Sequence, residues 1–341
     1  MKDPSSEVST TSQVLSAAVI GCGRVGEWHA AALAGSGDAT LVAVCDRDRE
    51  RCGRLAERFW ATPFDDFREL LRTVRPDVVT VATPDALHFE PVMAALESGS
   101  HVFCEKPLAT RINEARTMAA EADKRQLFLG VDFNRRYGFG YRRASEMIRD
   151  GRVGTPRNAT LVITDGFPPL SVRTNPTAMF TTLLTHHFDL FRWLIDEPVT
   201  VHVTGSVDPA TKLVSHVVVA FRFRKGAVGT ISASYREGQT RTHETMVIAG
   251  STGSLTVEDV TRSVTAVAND PEQRESWLAD PWHPVDSFWD TIRAHVRVFV
   301  TRIKCGESPE ITGRDGVESL RIAAAAENSW RTGHPVEVPD E

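Results

Sequence analysis

Cysteine is scarce: five in 341 residues, at positions 22, 45, 52, 104 and 305, an odd number with no C-x-x-C pair. A disulfide framework is thereby excluded for a chain long enough to build its own cores, and a reducing compartment, the cytoplasm, is expected. Long apolar runs are missing too. The longest span only a few residues, against the ~20 a membrane helix requires, so no membrane partner is expected. Residues 1–13, MKDPSSEVSTTSQ, contain acids and no apolar core, and read as a disordered tail rather than an export signal. Positive charge is in deficit: 39 Lys and Arg face 45 Asp and Glu, a net charge of −6, which argues against a nucleic-acid partner. Lysine itself is rare, six of the 39 basic residues, so a lysine in a motif stands out. Glycine, proline and hydrophobic content are ordinary, which excludes collagen-like and disordered classes. No internal repeat and no metal-ligand spacing is seen, and no metal is expected.

What is present is alternation. Val14 to Ile20 and Ala39 to Cys45 are short apolar runs, the first ending at glycine and the second at Asp46, with an alanine-rich helical stretch from Glu27 to Leu33 between them. Helices are predicted over Arg47 to Phe59, Asp66 to Thr73, Ala86 to Ser98 and Arg111 to Lys124. Strands are predicted over Pro76 to Ala82, His101 to Cys104 and Leu127 to Phe133. This pace argues an α/β domain with a doubly wound parallel sheet. From Asn158 the pattern changes to β-branched alternating runs (NATLVIT, VTVHVTGSV, HVVVAFRF, AVGTISASY, HETMVIAG, GSLTVED) broken by glycine turns, the mark of an antiparallel sheet. Helices over Tyr141 to Arg149, Phe180 to Ile195, Phe288 to Ile303 and Arg314 to Trp330 make this second half α+β. The expected division is 1–13 tail, 14–135 nucleotide-binding domain and 136–341 substrate-binding and oligomerisation domain.

Gly21-Cys22-Gly23-Arg24-Val25-Gly26 is G-x-G-x-x-G directly after a strand and at the start of a helix. The first glycine permits the tight turn, the second lets backbone approach a pyrophosphate, and the third admits close helix–strand packing. Free N–H groups at the helix start, Arg24 and Val25 among them, favour phosphate. Asp46 lies 20 residues past Gly26, at the end of the second strand, where a carboxylate accepts the ribose hydroxyls. NAD is therefore expected over NADP, with Arg47 the one residue placed to favour a 2′-phosphate. Thr83-Pro84, after the VVTVA strand, form a loop at a strand's carboxyl end, where such sheets carry ligands, and His88, in the helix start that follows, is counted with them as cofactor-binding.

Glu105-Lys106-Pro107 ends the His101 to Cys104 strand. Taken with AVIGCGRVG, VATPDALH, HVFCEKPLA, GVDFNRRY, HHFDLFRWL, IAGSTGSL and AAAAENSW, the spacing resembles the family of glucose-fructose oxidoreductase, inositol dehydrogenase and related sugar oxidoreductases, from about residue 14 to the C-terminus. The resemblance implies a Rossmann domain followed by a domain on a large open antiparallel sheet, whose face commonly makes homodimers or homotetramers. It also implies oxidation or reduction of a secondary hydroxyl on a sugar, sugar nucleotide or cyclitol. Glu105 and Lys106 would then lie beside the nicotinamide, Lys106 beside substrate as well, and His186 would be the acid/base.

Free lysine titrates near ~10.4, so neutralising it at pH 7 takes nearly ~5 kcal/mol at ~1.36 kcal/mol per unit, whereas histidine at ~6.5 needs almost no shift. His186 is accordingly assigned as general base and Lys106 as the cation holding the developing alkoxide. Thr182, His186, Asp189 and Trp193 share one helical stripe by spacing, and Asp189 is read as orienting His186, accepting substrate hydroxyls, or pairing with an arginine. Many relatives carry D-x-G-x-H where this chain has Thr182-Leu183-Leu184-Thr185-His186, so the usual aspartate is absent. Arg135 is expected near substrate, as a clamp for a hydroxyl pair or phosphate, Arg136 as a brace between domains, His187 as packing and Tyr235 as a pocket wall. PWHPVDSFW, 281–289, is a candidate lid or oligomer contact. Two other functions are consistent with this pattern: a glycoside hydrolase that uses tightly held NAD, and a catalytically silent sensor.

Overall fold

Short runs of Val, Ala, Ile and Cys with no polar face are what a sheet covered on both sides demands. In a computed structural model, which describes residues 14–166, 175–235, 243–268, 274–279 and 288–339, those runs become β1 (Leu15–Ile20), β2 (Ala39–Cys45), β4 (Val78–Val81), β5 (His101–Cys104) and β6 (Leu129–Val131). One further strand, β3 (Thr62–Phe64), was not read from the sequence; it is three residues long with a proline at its centre, which suits only an edge. All pair in parallel in the order β3-β2-β1-β4-β5-β6, the doubly wound arrangement. The helices between them are α1 (Arg24–Ala34), α2 (Arg49–Phe59), α3 (Phe67–Val74), α4 (Phe89–Glu97) and α5 (Ile112–Arg125). Asp48 and Asp66 accept backbone N–H groups at the starts of α2 and α3, the capping that fixes where those helices begin.

The second sheet has nine strands in the order β14-β13-β12-β11-β7-β10-β9-β8-β15. They are β7 (Pro156–Asp165), β8 (Pro198–Val207), β9 (Val214–Phe223), β10 (Val228–Tyr235), β11 (His243–Gly250), β12 (Gly253–Glu258), β13 (Ser263–Ala268), β14 (Arg274–Leu278) and β15 (Val336–Glu337). The sheet is antiparallel, as expected, except at its centre, where β7 and β10 run parallel. The cause is a long excursion between them, through α7 (Thr185–Leu194), β8 and β9, that returns the chain in the same direction. Strict alternation, as in β9 with every second residue buried, packs one face on Phe180, Phe188, Phe191 and their neighbours. The remaining helices are α6 (Phe139–Arg149), α8 (Phe288–Lys304) and α9 (Gly313–Thr332).

Two compact units result, and they differ from the expected division at 135/136. One comprises residues up to Glu105, Thr117–Asp132 and Arg293–Gly313; the other comprises Lys106–Arg116, Phe133–Ile292 and Arg314–Glu341. The last turns of α8 thus complete the first unit, where Phe299 sits against Gly130 so closely that a Cβ there would lie 2.8 Å from its ring. Lys106, by contrast, belongs to the second unit.

Candidate active site

In the first unit the glycine turn is a steric device. Gly21 has φ +99°, and a Cβ on it would lie 2.6 Å from the Ala82 carbonyl group at the end of β4; a Cβ on Gly26 would lie 1.8 Å from the Gly21 oxygen. Side chains are excluded at both by the protein itself. A Cβ on Gly23 would meet nothing within 4 Å, so the protein gives no reason for that glycine and the open space above it is a cradle of the kind a pyrophosphate fills. Gly23 stands at the N-cap of α1 and makes no side-chain cap bond, so α1 begins at Arg24 and Val25 with the geometry that favours a phosphate. At the end of β2, Asp46 Oδ2 accepts the Cys22 N–H at 2.8 Å and Oδ1 accepts the Asp48 N–H at 2.9 Å, which fixes the carboxylate beside the turn. Arg47 is exposed. The residues present fit a dinucleotide.

The loop after β4 is locked on itself. Thr83 Oγ1 donates to the Leu87 carbonyl, and buried His88 donates from Nε2 to the Thr83 carbonyl at 2.9 Å, so His88 shapes the Thr83-Pro84 turn from beneath. Glu105 accepts from His29 Nε2 at 3.2 Å. The same nitrogen is 4.0 Å from Asp132, which in turn takes His295 Nδ1 at 2.7 Å. His29, Glu105 and Asp132 bring their donor atoms within 4.8 Å of one another. Sequence reasoning missed this cluster because its members come from α1, the ends of β5 and β6, and α8. His29 Nδ1 has no partner among the described residues, so its proton belongs on Nε2, facing the acids.

In the second unit the His186 segment does not follow the predicted single helix. Residues Met179–Leu183 form a π-helical turn, with the Leu184 N–H reaching back five residues to the Met179 carbonyl, before α7 begins at Thr185. The extra residue breaks the expected stripe. Thr182 turns its hydroxyl to the Ala178 carbonyl at 2.7 Å, while its own carbonyl accepts the Lys106 ammonium at 2.9 Å. His186, only 3% exposed, has Nδ1 buried without a partner among the described residues, and its ring meets the edge of Phe133. Burial, then Arg135, Lys106 and His187, hold its pKa well below the usual imidazole value. Lys106 and His186 are therefore brought together, with the histidine neutral at pH 7.

The other candidates take different partners. Asp189 does not orient His186; it receives Arg136 through a two-pronged ion pair, and Arg136 also reaches Asp315 and lies over the ring of Trp193. Burial, opposed by Arg136, raises the Asp189 carboxyl to about 6. Every one of these Arg136 partners lies in the second unit, so the expected brace between domains is instead a brace within one. Arg135 has its Nε held by Glu244 Oε2 at 3.0 Å in a buried pair, and its guanidinium faces Phe288. Glu244 also accepts His187 Nε2 at 3.0 Å and the Tyr141 hydroxyl. No reading of the sequence had singled it out. Tyr235 is buried at the end of β10. Of PWHPVDSFW only Phe288 and Trp289 are described, and the rest of that candidate lid lies outside the described residues.

A parallel sheet with a glycine cradle at its switch point, joined in one chain to a lysine–histidine pair, defines a dinucleotide-dependent oxidoreductase. Residues 15–133 match the family described as "Oxidoreductase family, NAD-binding Rossmann fold", and residues 141–256 match the "GFO/IDH/MocA C-terminal domain". The chain is 30% identical to an inositol 2-dehydrogenase of Rubrobacter xylanophilus over 96% of this chain and 94% of the other. It is 29% identical to a myo-inositol 2-dehydrogenase of Thermotoga maritima over 94% and 98%. A crystal structure of a probable dehydrogenase from Thermotoga maritima superposes with a TM-score of 0.82 at 28% identity, covering 95% of this chain and 99% of that one. The fold alone is shared, at a TM-score of 0.87 and 22% identity over 96% and 100% of the two chains, with levoglucosan dehydrogenase in complex with NADH and levoglucosan. The chain belongs to the GFO/IDH/MocA oxidoreductase family, and its cofactor is NAD.

Proposed function

We propose that the protein oxidises one secondary hydroxyl of an uncharged cyclitol or sugar to the ketone, with NAD as hydride acceptor. The observation that carries this reading is the pairing of the Lys106 ammonium with a neutral, buried His186. When bound over Gly21, Gly23, Arg24, Val25 and Gly26, with its ribose on Asp46, the cofactor supplies hydride acceptance. The protein's part is the oxygen and its proton. Lys106, steadied by the Thr182 carbonyl, holds the oxygen as negative charge develops, and His186 receives the hydroxyl proton on Nε2, since Nδ1 is sealed. That form of the imidazole keeps a proton on buried Nδ1 with no acceptor among the described residues, a cost of roughly 1–3 kcal/mol. An uncharged substrate is favoured because Arg135, the candidate for gripping a phosphate, is neutralised by Glu244.

The oligomer we infer is a homodimer or homotetramer formed through the outer face of the nine-stranded sheet. Rows such as Thr204, Val218, Ser232, Val162 and Thr245 cross five strands with small or β-branched residues, and Val162, Val218, Val228 and Val247 are each about two-fifths exposed or more. No helix among the described residues is long and apolar enough to cross a membrane. The five cysteines are free, in keeping with a reducing cytoplasm. The activity is tested by following NADH fluorescence with inositols, free sugars, sugar phosphates and nucleotide sugars. Turnover on a free cyclitol or sugar is expected; turnover confined to phosphorylated or nucleotide-linked compounds, or none on any polyol, overturns the reading.

A further inference from the structure

His186 carries the proton in the proposed reaction yet has no partner on Nδ1 among the described residues, and Thr182 has turned its hydroxyl to the Ala178 carbonyl. Its neighbours are tightly held. His187, the next residue, donates from Nε2 to Glu244 at 3.0 Å, and its Nδ1 lies 3.2 Å from the Leu183 carbonyl at the join of the π turn and α7. The Thr182 carbonyl that steadies Lys106 belongs to that same turn. Arg135, beside His186, is held by the same Glu244 oxygen, and the other oxygen takes Tyr141 from α6. One carboxylate on β11 therefore ties the turn after β6, α7 and α6 together beside the two groups that act on substrate.

We propose that Glu244 is a positioning residue of this reaction: through His187 and Arg135 it fixes the orientation of the His186 imidazole and balances the positive charge around it, in place of the carboxylate missing at position 182. The charged and titratable groups facing His186 are Lys106 from the segment after β5, Arg135 from the turn after β6 and His187 on its own helix; Glu244 and Tyr141 form the next layer. Among these side chains Glu244 is the anion. Burial works against its charge, but Arg135, His187 and Tyr141 together hold its carboxyl well below the usual range, so the charge persists at every working pH. Removing it leaves Arg135 uncompensated next to His186 and makes protonation of the imidazole harder.

This inference rests on His186 as the base, and the experiment separates the two. The pH profile of kcat/KM is measured for wild type, Glu244→Gln, Tyr141→Phe and His186→Gln, with NADH binding as the check on folding. Glu244→Gln should lower kcat at least tenfold, leave NADH affinity unchanged and move the acid limb to lower pH; Tyr141→Phe, which keeps the charge, should leave the limb in place. An unmoved limb in Glu244→Gln, or the same uniform loss in both variants, overturns the proposal. Should Glu244→Gln not fold, Arg135→Gln decides instead: loss of the cation should move the limb to higher pH, and an unmoved limb overturns the proposal equally. Retained turnover in His186→Gln would mean that the base assignment itself has failed.

Discussion

The glycine turn after β1 and the buried cluster around His186 achieve precision by opposite means. The turn is built from backbone: Gly21 and Gly26 are required by contacts of 2.6 and 1.8 Å, and the Asp46 carboxylate beside it is held by neighbouring N–H groups. The cluster is built from side chains that arrive from distant strands and helices, Glu244 to Arg135 across 109 residues and to Tyr141 across 103. Backbone devices need a few consecutive residues, so they leave a motif in the sequence. Partnerships across a hundred residues leave none.

The contrast is sharpest at the glycines. Gly26→Ala should unfold the turn and abolish NADH binding, because a Cβ 1.8 Å from a carbonyl oxygen has no flexible neighbour to displace. Gly23→Ala should melt within a few degrees of wild type yet lose most NADH affinity; equal melting losses in the two variants would show that the cradle is structural. Next in size, His186→Gln should lower kcat by roughly 10²–10⁴, the usual contribution of a general base, with NADH binding intact. Because its pKa is depressed, the base remains neutral as pH falls through ~6.5, so activity in the oxidation direction should persist below that value; an acid limb centred at or above it contradicts the buried environment.

Asp46→Ala should weaken NAD about tenfold, on the order of the ~1.5–3 kcal/mol of a hydrogen bond to a charged group, and NADP much less. Equal loss for both would remove the ribose assignment. The smallest effect concerns stability. His186 and His187 are both held neutral by burial, so their folded pKa values lie below the unfolded one; the stability they contribute is present above ~6.5 and is lost as pH falls through that value. Thermal melts should drop by a few degrees between pH ~6.5 and ~5, and the His187→Gln variant should lose part of that slope.

What the sequence made legible follows the same division. Five strands of the parallel sheet, their helices, the fingerprint and Asp46 could be placed from apolar runs and glycine spacing. The edge strand β3 could not, since three residues around Pro63 carry no periodicity, nor could β14, which is charged, and β15, which is two residues long; β13, SVTAVA, went unread although it is apolar and β-branched. The motif context singled out Lys106 and His186, but a single-helix reading of 180–195 put Thr182 and Asp189 on a shared stripe that the π turn dissolves. Asp189 pairs with Arg136 and Arg135 with Glu244 because buried charges require partners, and burial is a property of the fold rather than of the local sequence. The mixed character of the large sheet was likewise hidden, since strand direction depends on how far the chain travels between β7 and β10.

The most direct test of Lys106 and His186 acting on one hydroxyl is turnover of myo-inositol and related polyols by Lys106→Ala, measured alongside NADH binding to the same protein. The expected result is wild-type NADH affinity with turnover lowered by roughly 10²–10³, the loss typical when one group that stabilises a developing oxyanion is removed. Undiminished turnover in that variant would contradict it.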